Sequence, residues 1–385
     1  MRRPDHRAVG DAPGPSPGGP AASWLLRQIR PWLGLGVVCA GFSLNSTFLH
    51  TFWTRANFDS LAQQAATNII VAVGMTFVII TGGIDLSVGS VMALSGVALG
   101  LALTSGPPPF LCYVLAAPVG IVLADRMLRR RSAWPIVVGA AGAVAAVAVA
   151  AVGLALTRAL AGGVRLEWAL LVALGVGLSC GMANGVLVTA GRVPPFVVTL
   201  GMLTTARALT LCATDGNSVS VQGVQRLAVL GKDAGLLLVT AGVVALGMVL
   251  LARTRAGRYM TSIGGNEEAS RLSGIDVGLW KTVAYTLCGL TAAVAAVVLT
   301  AKFGVADTGA GVGAELNGIA AVVIGGTSLS GGQGSVIGSL AGALTIAVLN
   351  SGMVLVGVPP NLQGVVIGGV IVATVMADRY RSGRA

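Results

Sequence analysis

Few residues of this chain have the types and spacing that catalysis requires. The two histidines, His6 and His50, lie far apart in the sequence, and neither belongs to an H-E-x-x-H zinc pattern. The sequence also has no G-x-S-x-G turn to expose a nucleophilic serine, and no buried carboxylates pair at helical spacing for acid–base work. The sequence therefore predicts no catalytic residue, no metal site and no cofactor bound by this chain.

Polar residues set within apolar stretches are the other candidates for chemistry. Asp85 and Ser87 lie in the turn Gly-Gly-Ile-Asp-Leu-Ser, which separates two apolar runs. They could shape a path for a polar solute, or they could cap the following helix by accepting its free N–H groups. Asn184 and Asn350 fall inside apolar runs, where their amides could bind a solute's hydroxyl groups or join neighbouring helices.

Two further residues, Glu315 and Asn317, lie at the start of a short apolar run. We expect them at the outer mouth of such a path. Arg207 lies within another run, and we expect its long side chain to reach toward the outer membrane surface.

The loop 253–281 is the most polar stretch after the N-terminal segment. Within it, Glu267, Glu268 and Ala269 precede Arg271, an order that favours a short helix with acidic residues in its first turn. Such a helix suits the docking of a soluble partner. An ordinary solvated loop would have a similar composition.

Three glycines bracket this predicted helix. Gly264 and Gly265 are expected to break the chain before it, and Gly274 is expected to end it. Arg258 and Asn266 belong to the same candidate docking segment.

The composition places these residues in a membrane protein. The 385-residue chain is 55% hydrophobic and 10% charged, with a mean hydropathy of +0.85. Soluble domains have about 25% charged residues, so this chain would not remain in solution. The 56 glycines indicate helices that pack closely through small residues.

Apolar runs of roughly membrane-spanning length recur along the chain, and they lack the period-2 alternation of a β-barrel. The sequence therefore predicts an all-α bundle of about twelve spans. The runs are 31–50, 64–82, 86–104, 108–124, 134–158, 167–190, 194–213, 234–253, 282–301, 315–329, 335–356 and 360–377. The run 315–329 is short and could be re-entrant.

The basic residues indicate the orientation of the bundle. If the N-terminus is inside and the runs alternate, 18 of the 25 lysines and arginines lie on the inner side. This bias predicts that both termini are inside, and it explains the net charge of +11 without nucleic acid. Residues 1–23 are polar and proline-rich, which predicts a disordered cytoplasmic tail before a transmembrane domain over 24–385.

An internal similarity relates residues 79–94 to residues 322–340. Each segment passes from an apolar run through Gly-Gly and Leu-Ser to Gly-Ser and a new apolar run. The similarity could mark a parallel structural repeat. Any glycine-rich helical hairpin could also produce it.

Four motifs, in this order, resemble one family of membrane proteins. They are residues 74–94, 191–203, 257–275 and 315–344. Together they resemble the sugar-importing ABC permeases that include the ribose and xylose permeases. Glu268-Ala269-Ser270 with Gly274 is also similar to the wider EAA-x3-G pattern of ABC importer membrane subunits, although Ser270 replaces an alanine.

Two features need separate interpretation. Residues 105–165 look like a two-span insertion into the family's ten-span core, with a basic loop that could bind anionic lipid. Residues 329–333 spell Leu-Ser-Gly-Gly-Gln, the signature of ABC ATPase subunits. None of Lys232, Lys281 and Lys302 lies in a phosphate-binding G-x-x-x-x-G-K-[ST] frame. We interpret this string as a coincidence.

The resemblance implies a permease subunit that imports a monosaccharide or similar small polar solute across the bacterial inner membrane. It also implies three protein partners: a cytoplasmic ATPase that uses the ATP, an extracytoplasmic substrate-binding protein and a second permease, expected to form a homodimer. An ion-coupled secondary transporter is the alternative. It would need buried ionisable residues, for which Asp85 is the acidic candidate.

Overall fold

The structure is a computed structural model, and it describes residues 20–44, 50, 52–104 and 166–382. The described chain is almost entirely helical. Its α-helices are α1 (Pro20–Ser43), α2 (Arg55–Ile80), α3 (Val88–Thr104), α4 (Leu166–Thr189), α5 (Pro195–Thr214), α6 (Gln225–Ala228), α7 (Asp233–Arg253), α8 (Arg255–Gly265), α9 (Glu267–Leu272), α10 (Val277–Phe303), α11 (Ala314–Ile324), α12 (Val336–Leu355) and α13 (Pro360–Ser382).

Six of these helices are long and apolar enough to cross a membrane, namely α2, α4, α5, α7, α10 and α12. The chain is thus a multi-pass helical membrane protein, as expected. Helices α3 and α11 are apolar but shorter. With 11 residues, α11 rises about 16 Å, roughly half of the ~30 Å hydrocarbon layer. The total of twelve crossings and the inner location of both termini remain predictions.

One sequence prediction changes at its edge, one is confirmed with a small addition, and one lies outside the described residues. Helix α1 begins at Pro20, a residue type favoured in a first helical turn, so the last residues of the expected tail are helical. The all-α fold class is confirmed, with the addition of one short antiparallel pair formed by β1 (Val219–Ser220) and β2 (Val305–Ala306). The predicted insertion 105–165 lies outside the described residues.

Helices α4 and α10 pack backbone to backbone through glycines. Gly177, Gly181 and Gly185 recur every fourth residue and therefore lie on one face of α4. A Cβ added at Gly181 would lie 2.3 Å from the carbonyl oxygen of Tyr285 in α10, and one at Gly289 would lie 2.2 Å from that of Gly177. No side chain fits between these helices, so their small residues fix the separation.

Helix α2 lies at the centre of the bundle and contacts α10 and α12. From Ile69 to Ile80 every residue of α2 is buried. Its Thr76 hydroxyl lies 2.7 Å from the hydroxyl of Ser339 in α12, within an otherwise apolar interface. The two hydroxyl groups therefore hydrogen-bond to each other, which lipid chains could not do for them.

Helices α2 and α11 end in the same way, in agreement with the internal similarity. Gly82 and Gly326 both have positive φ, at 78° and 84°. After each helix the two successive N–H groups bond back to carbonyls three and five residues earlier, which defines a Schellman motif. Glycine accepts the left-handed conformation that this ending requires.

The two ends of the bundle are distinct. Helices α8 and α9 precede α10, whereas the β1–β2 pair includes the residues that directly follow α10. Since α10 has 27 residues, it separates these ends by about 40 Å. We call them the α8–α9 end and the hairpin end.

The glycine contacts predict a large difference between two similar substitutions. Gly181→Ala would force α4 and α10 apart, whereas an alanine at Gly242 in α7 would meet nothing within 4 Å. We expect Gly181→Ala to lower the unfolding temperature of the detergent-purified protein by about 5 °C or more. Gly242→Ala should leave it unchanged or raise it slightly. Equal unfolding temperatures would contradict the close packing.

Candidate functional site

Helix α8 lies against the end of the bundle on one face only. Its buried residues are Gly257, Met260 and Ile263, while Arg258 is exposed. The ring of Tyr259 packs 5.4 Å from the ring of Trp280 in α10. These contacts hold α8 in place and present Arg258 to solvent.

The break between α8 and α9 is at Asn266 rather than at the two glycines before it. Gly264 and Gly265 are the last residues of α8, and Asn266 has extended backbone angles of −158° and 104°. The prediction that Gly264 and Gly265 interrupt the chain is therefore wrong. Gly264 instead permits a close contact with another part of the bundle, as described below.

Helix α9 confirms the expected short helix and its end at Gly274, whereas its start is at Asn266. Asn266 caps its start, because the Asn266 side-chain oxygen accepts the N–H of Ala269 at 2.9 Å. Gly274 follows its end with a φ of 81°, and the N–H of Ile275 bonds to the carbonyl of Ser270 at 3.1 Å. These bonds define a Schellman ending, so α9 is fixed at both ends.

Glu267 ties α9 to the bundle. Its carboxylate accepts bonds from Lys281 of α10 at 2.6 Å and from Arg271 at 2.9 Å. The hydrogen bond from Lys281 is the main cause of a lowered pKa for Glu267, and the charges of Lys281 and Arg271 lower it further. A lowered carboxyl pKa keeps the tie in place at neutral pH, and it is lost only as acid protonates Glu267. Glu267 thus has a positioning role.

The exposed side of α9 includes both charged and apolar groups. Glu268, Ala269 and Arg271 are exposed, and so is Leu272, whose side chain is 81% accessible. Single exposed leucines are common on protein surfaces, but the position of Leu272 among the charged residues of α9 makes it a candidate contact for another protein. Leu272 was not among the predicted site residues, although a leucine amid charged residues at the end of a predicted docking helix was the signal.

Ser270, the residue that departs from the EAA pattern, is buried. Its hydroxyl lies 2.8 Å from the hydroxyl of Ser262 in α8 and donates to the Asn266 carbonyl. The serine therefore links α8 to α9, which an alanine could not do.

A junction of backbone atoms connects α8 to two other parts of the bundle. The N–H of Gly332, in the turn 329–333, donates to the carbonyl of Ile80 at the end of α2, at 2.9 Å. A Cβ added at Gly264 would lie 1.8 Å from that carbonyl oxygen and 2.4 Å from the Gly332 nitrogen. We call the contact among Ile80, Gly264 and Gly332 the glycine junction. This contact gives the turn 329–333 a structural role, which the sequence did not predict.

The four candidate path residues do not all come together. Asp85, Ser87 and Asn184 form one buried cluster, each at most 1% exposed. One oxygen of Asp85 accepts the N–H of Ser87 at 2.9 Å and its hydroxyl at 2.6 Å, and the Asn184 amide donates to that hydroxyl at 2.9 Å. The Cys288 thiol and the Asn184 amide also bond to the Asp85 carboxylate.

This buried cluster connects α3, α4 and α10 just before α3 begins. Ser87 is the residue before α3, so the bond from its N–H to Asp85 forms an Asx turn ahead of the helix and does not cap one of the N–H groups of α3 itself. The Tyr285 hydroxyl occupies the space that a Cβ at Gly83 would need, at 2.4 Å. These contacts make the cluster a structural joint in this conformation.

The other candidates lie apart from the cluster. Asn350 is half-buried near the end of α12, and Asn317 is half-buried in α11. Glu315 lies against the first turn of α3, where one of its oxygens would be 2.5 Å from a Cβ at Gly89. Among the described residues, no group of three or more histidine, cysteine or acidic side chains could hold a metal ion.

Arg207 makes contacts within the protein that the sequence did not suggest. Its guanidinium donates to the carbonyl of Thr308 at 2.6 Å and to that of Ala310 at 3.2 Å, in the segment between β2 and α11. This pair of charge-assisted bonds fixes that segment against α5.

A helical body with six helices that could span a membrane, and an ordered, exposed helix pair at one end, defines a multi-pass membrane protein. The chain matches the family described as "Branched-chain amino acid transport system / permease component" over residues 57–125 and 136–375. The chain belongs to this family of permease components.

Relatives that the chain resembles over most of its length have names that describe sugar transport. It is 36% identical to the ribose import permease protein of Escherichia coli, over 93% of this chain and 95% of the relative. It is 32% identical to the D-allose transport system permease protein of Escherichia coli, over 86% of each. For the fructose import permease protein of Rhizobium meliloti the identity is 30%, over 94% of this chain and 86% of the relative. The resemblance to sugar-importing permeases is thereby confirmed. No solved structure matches the chain.

The buried cluster predicts that Asp85 stabilises the fold. Asp85→Ala would leave donors of Ser87, Asn184 and Cys288 without their acceptor, at a cost of about 3 kcal/mol. We expect a clearly lower unfolding temperature in detergent. Asp59→Ala is the matched control, because Asp59 is exposed on α2. If both variants unfold at the same temperature, the cluster is not a structural joint.

Proposed function

We propose that this chain is the membrane-spanning subunit of an ABC importer that moves a monosaccharide into the cytoplasm. The observation that best supports this proposal is the rigid, exposed α8–α9 pair at one end of the bundle. The ribose, allose and fructose permeases among its relatives favour a sugar as the cargo.

The proposed partners follow from this assignment. A separate cytoplasmic ATPase would bind α8 and α9 and hydrolyse the ATP, so this chain needs no nucleotide of its own. An extracytoplasmic binding protein would deliver the sugar at the hairpin end, and a second copy of the permease would complete the pore. The exposed leucines and valines of α7, Leu237, Leu238, Leu246 and Val249, suit contact with lipid in the bacterial cytoplasmic membrane.

The glycine junction supports a mechanism for the coupling. A force on α9 reaches α10 through the bond between Glu267 and Lys281. The same force reaches the end of α2 and the turn 329–333 through Gly264, with no flexible side chain between them. Movement of the ATPase would therefore tilt several helices together, which is how a packed bundle switches between two states.

The ion-coupled alternative has less support. Its acidic candidate, Asp85, is buried and accepts bonds from Ser87, Asn184 and Cys288. A coupling ion would have to displace these donors.

Uptake measured in proteoliposomes distinguishes the two functions. ATP-dependent sugar uptake in the presence of the ATPase supports the importer. Uptake by this chain alone under a proton or sodium gradient would instead support the alternative.

Substitution of Leu272 tests whether α9 provides the docking surface for the ATPase. We expect Leu272→Ala to weaken co-purification of the ATPase by roughly tenfold and to reduce sugar uptake to match, because an exposed apolar contact is lost. Val229→Ala removes a similarly exposed side chain at the hairpin end, close to Gly231, which packs on Lys302, and should change neither. Undiminished co-purification with Leu272→Ala would place the docking surface elsewhere.

Substitution of two adjacent glycines tests the role of the glycine junction. Gly264→Ala would separate α8 from Ile80 and Gly332, whereas a Cβ at Gly265 meets nothing within 4 Å. We expect Gly264→Ala to abolish most uptake while the ATPase still binds and hydrolyses ATP. Gly265→Ala should transport normally. Normal transport by Gly264→Ala would rule out the junction as the coupling path.

A further inference from the structure

A cavity of about 460 Å³ lies at the hairpin end between α3, α10 and the segment that follows β2. Its apolar wall includes Met92 of α3 and Leu299 of α10, with the exposed ring of Phe303 beside them. Its polar wall includes Ser218, Thr300 and Asp307. The volume falls within the usual range for small-molecule sites, which combine apolar surface with a few fixed polar groups.

The polar wall is held in a fixed position. One oxygen of Asp307 accepts the Ser218 hydroxyl at 3.1 Å and the N–H of Gly309 at 3.0 Å. The other oxygen of Asp307 takes part in neither bond. Arg207 fixes the next part of the wall through the carbonyls of Thr308 and Ala310. The carboxylate is therefore oriented before any solute arrives, which reduces the entropy cost of binding.

These groups match the chemistry of a monosaccharide. Sugar hydroxyls donate well to a carboxylate oxygen, and hydroxyl side chains such as Thr300 can both donate and accept. The C–H face of a sugar ring packs on apolar surface such as Phe303 and Met92. The cavity is roughly 30 to 40 Å from the start of α10, measured along that helix, so it lies where a solute would enter rather than where the ATPase would dock.

We infer that this cavity is the entry site of the permease, where Asp307, Thr300 and Phe303 bind a monosaccharide before it moves inward. This inference rests on the proposed import function. It adds a solute-binding site within a single copy of the chain, on residues that the sequence analysis did not select.

A thiol-protection assay tests the site on the purified chain in lipid nanodiscs. Val305 lines the cavity, so Val305→Cys introduces a reporter thiol there, and Cys212→Ser removes an exposed native thiol. D-ribose, D-allose and D-fructose are each titrated while a maleimide labels the reporter. A sugar at about four times its Kd should slow labelling by about fivefold.

Two matched variants assign the effect to Asp307. Asp307→Asn should raise the Kd obtained from protection by about tenfold, because it removes a charged acceptor. Asp215→Asn removes the same charge from an exposed residue at the end of α5 and should leave protection unchanged. Equal protection in both variants would overturn the assignment.

Uptake by the complete importer distinguishes failure of the entry site from failure of the proposed import function. If a sugar is taken up but does not protect the reporter thiol, the entry site is wrong and the proposed function stands. If the complete importer takes up none of the three sugars, their import as the proposed function fails, and the entry site for these sugars fails with it.

Discussion

The structure depends on close contact between backbone atoms, with glycine in place of side chains. In a bundle surrounded by lipid, peptide groups must find partners within the protein, because water is not available to them. The Gly332 N–H meets the Ile80 carbonyl in this way, and Gly264 leaves the space for that bond. The same kind of contact joins α4 to α10 at Gly181. Rigid helices are thus connected to one another without flexible side chains.

This construction connects the two functional ends of the molecule. Helix α10 begins beside the α8–α9 pair and ends at the β1–β2 pair, and it packs on both α2 and α4. Movement at its first turn, where Lys281 holds Glu267, therefore reaches the wall that contains Thr300. The buried cluster around Asp85 lies between these ends and secures the start of α3 against α4 and α10. A push at one end can in this way alter a site at the other.

The sequence predicted the features that depend on local pattern. Apolar runs located most of the long helices to within a few residues, although α2 begins nine residues before its predicted run. Gly274 ends α9 as predicted, because helix endings are local chemistry. The sequence could not predict contacts between distant segments of the chain. Nothing in one sequence indicates that Gly332 meets Gly264 or that Arg207 reaches Thr308. Such contacts depend on how helices pack, and packing is not encoded within any single segment.

The central claim is that the glycine junction moves as one unit when the ATPase acts. Cysteines at Gly265 and Ser330, in a Cys212→Ser background, can be joined across the junction by a short bis-maleimide. ATP-driven sugar uptake by the cross-linked importer is the direct measurement. If the junction moves as one unit, the cross-linked protein should transport at close to the rate of the unlinked protein, because the joined parts do not separate during the cycle. Loss of uptake on cross-linking, with the ATPase still bound and active, would contradict it.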